Sequence, residues 1–406
     1  MILAGGRVDD LGVLTFSRSK SAMPFGGLYR IIDFPLSNLM HSDIEQVGIL
    51  SQYRPRPLIE HIGNGESWGM HGRNCFATIL PPFKGINQSD WYKGTADAVF
   101  QNIDFLRTHR PELVLILSGD HIYKMDYREI IRFHLDNKAD LTIVFSKLPR
   151  KGAHRFGLAD IEGNQREGGK VLQYLEKPQT PFFDWASLTI YVFTPYALLE
   201  ALEANSTENS HEFGKDIIPW LLTHNYVVYG YKYEGYWGYA RTLQEYWQTN
   251  MDFLGFPPRV DIEAWEVCTN LSHENIRDRK PAFVGPSARI ENSLIYSGCR
   301  VSGAIKNSIL FPGVRVDQGA EVEDSILFTN TVIKQNARVT RTITDKNATI
   351  GVDAQVGGPV SGDLSVIGTN TRIPKNTVIS AGVTVYPNLG PGQFSRHFYD
   401  KGEVIE

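Results

Sequence analysis

Cysteine is scarce in this sequence: Cys75, Cys268 and Cys299 are spread over 406 residues with no CxxC spacing. A dispersed, odd-numbered set supports neither a disulfide framework nor a zinc site, and it suits a reducing compartment. An excess of positive charge is also missing. The net charge of −4 argues against a broad nucleic-acid footprint and leaves room for a local anion pocket at most. No apolar run approaches the roughly 20 residues that cross a bilayer. The opening MILAGG is too short and uncharged for a secretory signal. The expectation is a cytoplasmic protein with no nucleic-acid and no membrane partner.

Apolar residues, in contrast, are plentiful. They make up 42% of the chain against 21% charged, enough for a sizeable core, and the length suggests two or three domains. In the first half, Met1–Ala4, Val47–Leu50, Leu113–Leu117 and Leu141–Phe145 are continuous apolar runs of strand length. Such runs suit strands buried on both faces of a mostly parallel sheet. Helix-length stretches such as Ala96–Arg107 and Tyr127–Asn137 lie between them. This alternation predicts an α/β, Rossmann-like sheet with ligands beyond the carboxyl ends of its strands.

The texture changes near Phe256–Arg259 (FPPR), which opens a linker over 257–280 between a domain at 1–256 and a second at 281–406. In that second region aliphatic residues recur about every six positions. The steps run through Val284, Ile290, Ile295, Val301, Leu310, Val316, Val322, Leu327, Ile333 and Val339, then Ile350, Val356, Ile367, Ile373, Ile379 and Val385. A hexapeptide repeat with one inward aliphatic per side predicts a parallel β-helix whose stacked coils share one core. Related solenoids include acyltransferases that use a histidine base. Beyond residue 280 the only histidine is His397, after the last clear step. A structural and oligomerising role is therefore expected of this half.

Gly5-Gly6 directly follows the first apolar run. Paired glycines let backbone N–H groups close on a phosphate, although a lone pair is most often a plain turn. More specific are Leu3–Gly6, Leu14-Thr15, Arg18, Lys20, Phe25-Gly26-Gly27, Tyr29–Phe34 and Leu36-Ser37-Asn38. Together they resemble the opening of the ADP-glucose pyrophosphorylase (glucose-1-phosphate adenylyltransferase) family, whose loop wraps the ATP triphosphate. Further stretches are similar to that family: Ser51-Gln52-Tyr53, Trp91–Val99, Ser118–Tyr123, Phe156-Gly157, Glu176-Lys177-Pro178, Ser187 within SLTIYVF, and Glu212–Pro219.

The resemblance implies a Rossmann-like nucleotidyltransferase domain followed by a left-handed β-helix. It also implies adenylyl transfer from ATP to glucose-1-phosphate with Mg²⁺, in storage-glucan synthesis. Gly5, Gly6, Lys20, Gln52, Gly94 and Thr95 would face the nucleotide. Tyr92, Gly157, Glu176, Lys177 and Ser187 would face the sugar phosphate. Asp120 would hold the metal, and Lys20 would supply positive charge. A sugar-phosphate effector and a homotetramer, or a mixed oligomer with a paralogue, are the implied partners. The residue types suit the chemistry, because two anions must be brought together and charge and orientation matter more than a nucleophile. On their own, Asp120 could cap a helix, although its place beyond a strand favours a ligand, Glu176-Lys177 could be a solvated strand end, and Trp91 and Tyr92 could be core.

Three positions depart from the family pattern. The loop normally reads GGxGxRL; here Val8 replaces its third glycine and Asp10 its arginine. Tyr239 stands where a second metal-binding aspartate belongs in the YWRDVGT-like segment, and Thr189 replaces the glycine of an SMGIY-like segment. A carboxylate about 4 Å from a phosphate charge costs roughly 4 kcal/mol at an effective dielectric near 20, about a thousandfold in rate. Two readings follow. Either the site has decayed and the chain is a regulatory subunit, or the charges have exchanged places. On the second reading Asp10 joins Asp120 at the metal and Arg241 meets the phosphates. Nucleotide preference, effector identity and homo- or hetero-assembly are left open at this level.

Overall fold

A computed structural model describes all residues except 7, 8, 84–90, 148–151, 164, 274, 275 and 360. Among the described residues no helix is long and apolar enough to cross a membrane. Two compact units emerge, and neither is continuous in sequence. The first comprises Met1–Gly6, Phe34–Pro55 and Ile62–Trp237; the second comprises Arg7–Asp33, Arg56–His61 and Gly238–Glu406.

The apolar runs of the first unit become strands β1 (Ile2–Leu3), β2 (Gln46–Leu50), β3 (Phe76–Leu80), β4 (Val114–Ser118) and β5 (Leu141–Lys147). They are followed by β6 (Gly157–Ile161), β7 (Gly168–Glu176), β8 (Trp185–Phe193) and β9 (Val228–Lys232). The sheet order is β3-β2-β1-β4-β8-β5-β9-β7-β6. Strands β3, β2, β1 and β4 are parallel, as are β5 and β9, whereas β8 runs antiparallel to β4 and β5. The sheet is thus mixed rather than mostly parallel. Strand β6 pairs with both β7 and β8, so this flank closes on itself and leaves no free edge. Ile116, Ile143, Phe145 and Phe193 are fully buried at its centre.

The stretch Ala96–Arg107 is not one helix. It divides into Thr95–Gln101 and Ile103–His109 at Asn102, whose side-chain amide bonds Ala98 O and the Tyr92 hydroxyl, each at 2.9 Å. An asparagine side chain that competes for backbone partners breaks a helix in this way. Tyr127–Asp136 is a single helix, capped by Asp126.

In the second unit three parallel sheets form the faces of a left-handed β-helix. Val301, Val316, Ile333, Ile350 and Ile373 stack in register on one face, and Ile305, Val322, Val339, Val356 and Ile379 on the next. The third face reads Leu310, Leu327, Thr344, Ile367 and Val385. Thr344 explains the missing step between Val339 and Ile350. It occupies an inward site, fully buried, and its hydroxyl is matched by that of Thr331 at 2.9 Å. Val284 and Ile290 occupy repeat positions but stay 52% and 40% exposed, because the first coil has neighbours on one side only.

At one corner the coils turn through asparagines in left-handed conformation: Asn330, Asn347, Asn370 and Asn388, with φ between 58° and 66°. Their side chains bond one to the next down the stack, Asn330 to Asn347 at 3.2 Å, then Asn370 and Asn388 at 2.9 Å each. Asparagine tolerates this backbone better than other side chains and satisfies its own amide in the ladder. Asn347→Ala is expected to cost about 1–2 kcal/mol through added strain and two lost bonds. Asn347→Gly, which keeps the backbone at ease, should cost less. Urea-unfolding midpoints of the two variants test this order.

Candidate active site

In the first unit four of the five sugar-facing candidates, Gly157, Glu176, Lys177 and Ser187, gather around the Glu176 carboxylate, whereas Tyr92 bonds Gln52, Leu80 and Asn102. Tyr174 and Glu176 lie two residues apart on β7 and therefore share a face. The Tyr174 hydroxyl donates to Glu176 Oε2 at 2.9 Å, while Lys177 Nζ lies 3.2 Å from Glu176 Oε1. A Cβ at Gly157 would collide with Tyr174 and Glu176, and one at Gly214 with Glu176. Gly157 thus leaves room chiefly for the Tyr174 hydroxyl, and Gly214 for the Glu176 carboxylate. Burial, with Tyr191 and Glu176 nearby, pushes the Tyr174 phenol well above its usual range, so it stays a donor. Ser187 is buried near the Tyr191 hydroxyl. Lys177 and Thr189 both hold positive φ, 46° and 54°. Strained backbone of this kind clusters at ligand sites.

The nucleotide candidates of this unit are partly committed to internal bonds. Gln52 faces the backbone of Tyr92 with both ends of its amide: Oε1 accepts from Tyr92 N, and Nε2 donates to Tyr92 O at 3.4 Å. The Tyr92 hydroxyl donates to Leu80 O at 2.9 Å. Gly94 approaches His211 so closely that a side chain there would strike its carbonyl. Thr95 donates to Glu212 Oε2 at 2.6 Å and accepts from Phe213 N at 3.0 Å. Trp91 is 67% exposed and is not core. Gly5 lies against Gln52, with Tyr53 N bonded to Gly5 O at 3.2 Å, so the turn after β1 is fixed to the end of β2.

Asp120 stands just past β4, where an α/β sheet presents its ligand edge. Its Oδ1 accepts from Ser118 Oγ and lies 3.5 Å from His121 Nε2, with the side chain about a quarter exposed. It caps no helix; the segment after it is the short strand His121–Tyr123.

The second unit carries the cations. Lys20 is almost completely buried, and its ammonium sits 4.9 Å from the centre of the Tyr239 ring. The position expected to hold a metal-binding aspartate thus offers Lys20 an aromatic face instead. Arg241 Nε lies 3.8 Å from Asp10 Oδ2, both side chains being substantially exposed. The two charges that depart from the family pattern are therefore neighbours. Arg241 does not cap the following helix; Thr242 and Glu245 form that capping box. Arg7 and Val8 of the glycine loop fall outside the described residues.

Sequence reading missed a basic cluster in this unit. Arg18 forms a buried two-point pair with Asp345, at 2.7 and 2.8 Å. Near it are Arg30, Lys346 and His273, and a cavity of about 470 Å³ is lined by Pro57, Glu60, Asn270, Ser272, His273 and Lys346. Burial, reinforced by Arg30 and Arg18, pushes the Lys346 ammonium down to about 6. Burial, then Arg30 and Lys346, pushes His273 to about 4. Below the cavity His61 Nε2 meets Asp33 Oδ1 at 2.5 Å, both buried. No local motif marks these residues, since Arg18 and Asp345 are 327 positions apart.

The comparisons with known proteins agree with this geometry. Residues 1–255 match the Nucleotidyl transferase family, and residues 283–366 match the GlmU-like, C-terminal hexapeptide family. This is a nucleotidyltransferase with a hexapeptide-repeat solenoid. The chain is 39% identical to glucose-1-phosphate adenylyltransferase of Acetivibrio thermocellus, over all of this chain and 87% of that protein. It is 44% identical to the enzyme of the same name from Thermotoga neapolitana (80% of this chain, 75% of that protein) and 43% identical to that of Clostridium perfringens strain SM101 (80% and 82%). The chain belongs to the glucose-1-phosphate adenylyltransferase family.

Lys346 also sets a pH dependence. Its ammonium has a folded value of about 6 against an ordinary 10.5. Between those values the unfolded chain binds more protons, so stability rises with pH, by at most about 1.4 kcal/mol per pH unit from this group. Lys346→Met should flatten the rise of the urea midpoint between pH 6 and pH 9 and stabilise the protein most at the acid end of that window.

Proposed function

We propose that this chain transfers the adenylyl group of ATP to glucose-1-phosphate, yielding ADP-glucose and pyrophosphate. The observation that carries the reading is the Glu176 carboxylate, set between Gly157 and Gly214 and flanked by Tyr174 and Lys177. A carboxylate accepts sugar hydroxyls, and the neighbouring ammonium suits a sugar phosphate. A phosphate oxygen of glucose-1-phosphate attacks the α-phosphorus of ATP, the bond to the bridging oxygen breaks, and pyrophosphate leaves. Lys20, Arg241 and the Gly5-Gly6 turn are assigned to the nucleotide phosphates, with Gln52, Gly94 and Thr95 as further nucleotide contacts; Tyr92, Lys177 and Ser187 are assigned to the sugar phosphate.

Magnesium is the proposed metal. No group of three or more His, Cys, Asp or Glu suited to a metal is found among the described residues. Mg²⁺ is commonly held by one or two carboxylates together with substrate oxygens. Asp120 is the principal ligand in this reading, and bound Mg²⁺ would offset charge on the phosphates. Asp10 is the candidate second ligand. Asp10→Ala that weakens Mg²⁺ dependence supports that role, whereas unchanged or raised activity leaves Asp10 as the partner of Arg241 alone.

Pyrophosphate release from purified protein with glucose-1-phosphate, Mg²⁺ and each nucleoside triphosphate tests the reading, and ATP should be the preferred donor. No release with any triphosphate, at high protein concentration and with sugar phosphates added as activators, would overturn it. The chain would then be a ligand-binding regulatory subunit of an active relative.

A phosphorylated sugar effector is supported by Arg18, Arg30 and Lys346 beside the cavity at His273. Three free thiols, Cys75, Cys268 and Cys299, support a cytoplasmic setting. Assembly into a homotetramer, or with a paralogue, is supported by the first coil of the solenoid, where Phe283, Val284 and Ile290 are 54%, 52% and 40% exposed. Open strand edges with apolar side chains are sticky. Val284→Asp combined with Ile290→Asp should reduce the assembled size in sedimentation velocity. An unchanged size would remove this surface from the interface.

A further inference from the structure

Thr189 is the only β-branched residue at positive φ among the described residues. The other non-glycine residues in that region are Asn, Asp, Arg, Lys or Glu, which lack a second heavy substituent at Cβ. A β-branched side chain in the left-handed region is a steric outlier, because Cβ and its two branches crowd the backbone. Glycine would sit there without strain. Such a residue persists only where its surroundings hold it, and here they do. Leu188 and Ile190 on either side are fully buried, and β8 bulges against β5 between Ser187 and Tyr191.

The position of the strain gives it meaning. Thr189 is partly exposed, in contrast to its two buried neighbours. Thr189 N points to Ser187 Oγ at 3.4 Å, and the side chains of Ser187 and Thr189 both lie near the Tyr191 hydroxyl. Glu176 and Glu212 are close enough to act on Tyr191 electrostatically. Thr189 therefore lies beside the polar set built around Glu176, at the place where the family pattern has no side chain.

We infer that Thr189 is a specificity-determining residue of the sugar pocket, its hydroxyl bonding a ring hydroxyl of the sugar phosphate and its methyl narrowing the space beside it. This rests on the reading of that pocket as a sugar-phosphate site. Glycine would relieve the backbone but leave a sugar hydroxyl without its partner, and a site built around a hydrogen bond loses affinity when one side is removed.

Calorimetric titration of the full-length protein with glucose-1-phosphate, galactose-1-phosphate and mannose-1-phosphate tests this, with thermal unfolding alongside. Thr189→Gly should raise the unfolding midpoint while weakening binding of the preferred sugar phosphate about tenfold and compressing the differences among the three. Thr189→Ser, which keeps the hydroxyl, should bind within about twofold of the wild type. Thr189→Val, which keeps the shape, should bind as poorly as Thr189→Gly. Unchanged affinity and ranking in Thr189→Gly would overturn the inference whichever way the midpoint moves, as would an equal loss in Thr189→Ser. A wild-type chain that binds none of the three would instead overturn the reading of the pocket itself, and the inference with it.

Discussion

A guanidinium sealed from water must have a carboxylate, and Arg18 has Asp345. The pair is buried to 4% and 1% residual exposure and joins the segment after the first strand to a coil of the solenoid. Removing one partner would strand the other charge at a cost of several kcal/mol. The rest of the second unit follows from that commitment. The N-terminal segment lies against the solenoid through Tyr296 to Gly26 O and against helix Leu243–Met251 through Tyr246 to Pro24 O, and Trp247 of that helix donates to Asp324 O of the solenoid at 2.8 Å. Arg341 packs over the Trp247 ring at 4.4 Å. The solenoid is thus a support for the segment that carries Lys20 and Asp10, and not merely an appended assembly module.

The same commitment concentrates positive charge. Arg30 and Lys346 stand close enough to Arg18 that Lys346 loses much of its affinity for a proton. Asp345 neutralises Arg18, and Asp33 accepts from Arg30 N at 2.8 Å. Lys20 contrasts with them. It is equally buried, but it rests on the Tyr239 ring, a softer partner than a carboxylate.

In the first unit the governing constraint is space. Glu176 can stand where it does because Gly157 and Gly214 have no side chains, and Tyr174 then fixes its orientation. Thr189 inverts that logic by placing bulk and a hydroxyl on backbone that favours glycine. Relief at the glycines and strain at the threonine meet around one carboxylate, so the pocket's shape depends on backbone conformation as much as on side-chain identity.

Much was legible in the amino-acid order alone. The apolar runs at Val47–Leu50 and Leu141–Phe145 became central strands, and the six-residue steps became solenoid faces, because burial periodicity is a local property. The family motifs identified Glu176, Lys177 and Asp120 as candidates. Where a local rule was broken the reading slipped: Asn102 split a helix, and Thr344 filled an aliphatic slot with a paired hydroxyl. The antiparallel insertion of β8 between β4 and β5 was invisible, since strand direction is set by long-range pairing. So were the partition of residues 7–33 to the solenoid unit, the Arg18–Asp345 pair and the depressed Lys346 ammonium. Each of these depends on charges and surfaces brought together across hundreds of residues, and only the folded chain brings them into contact.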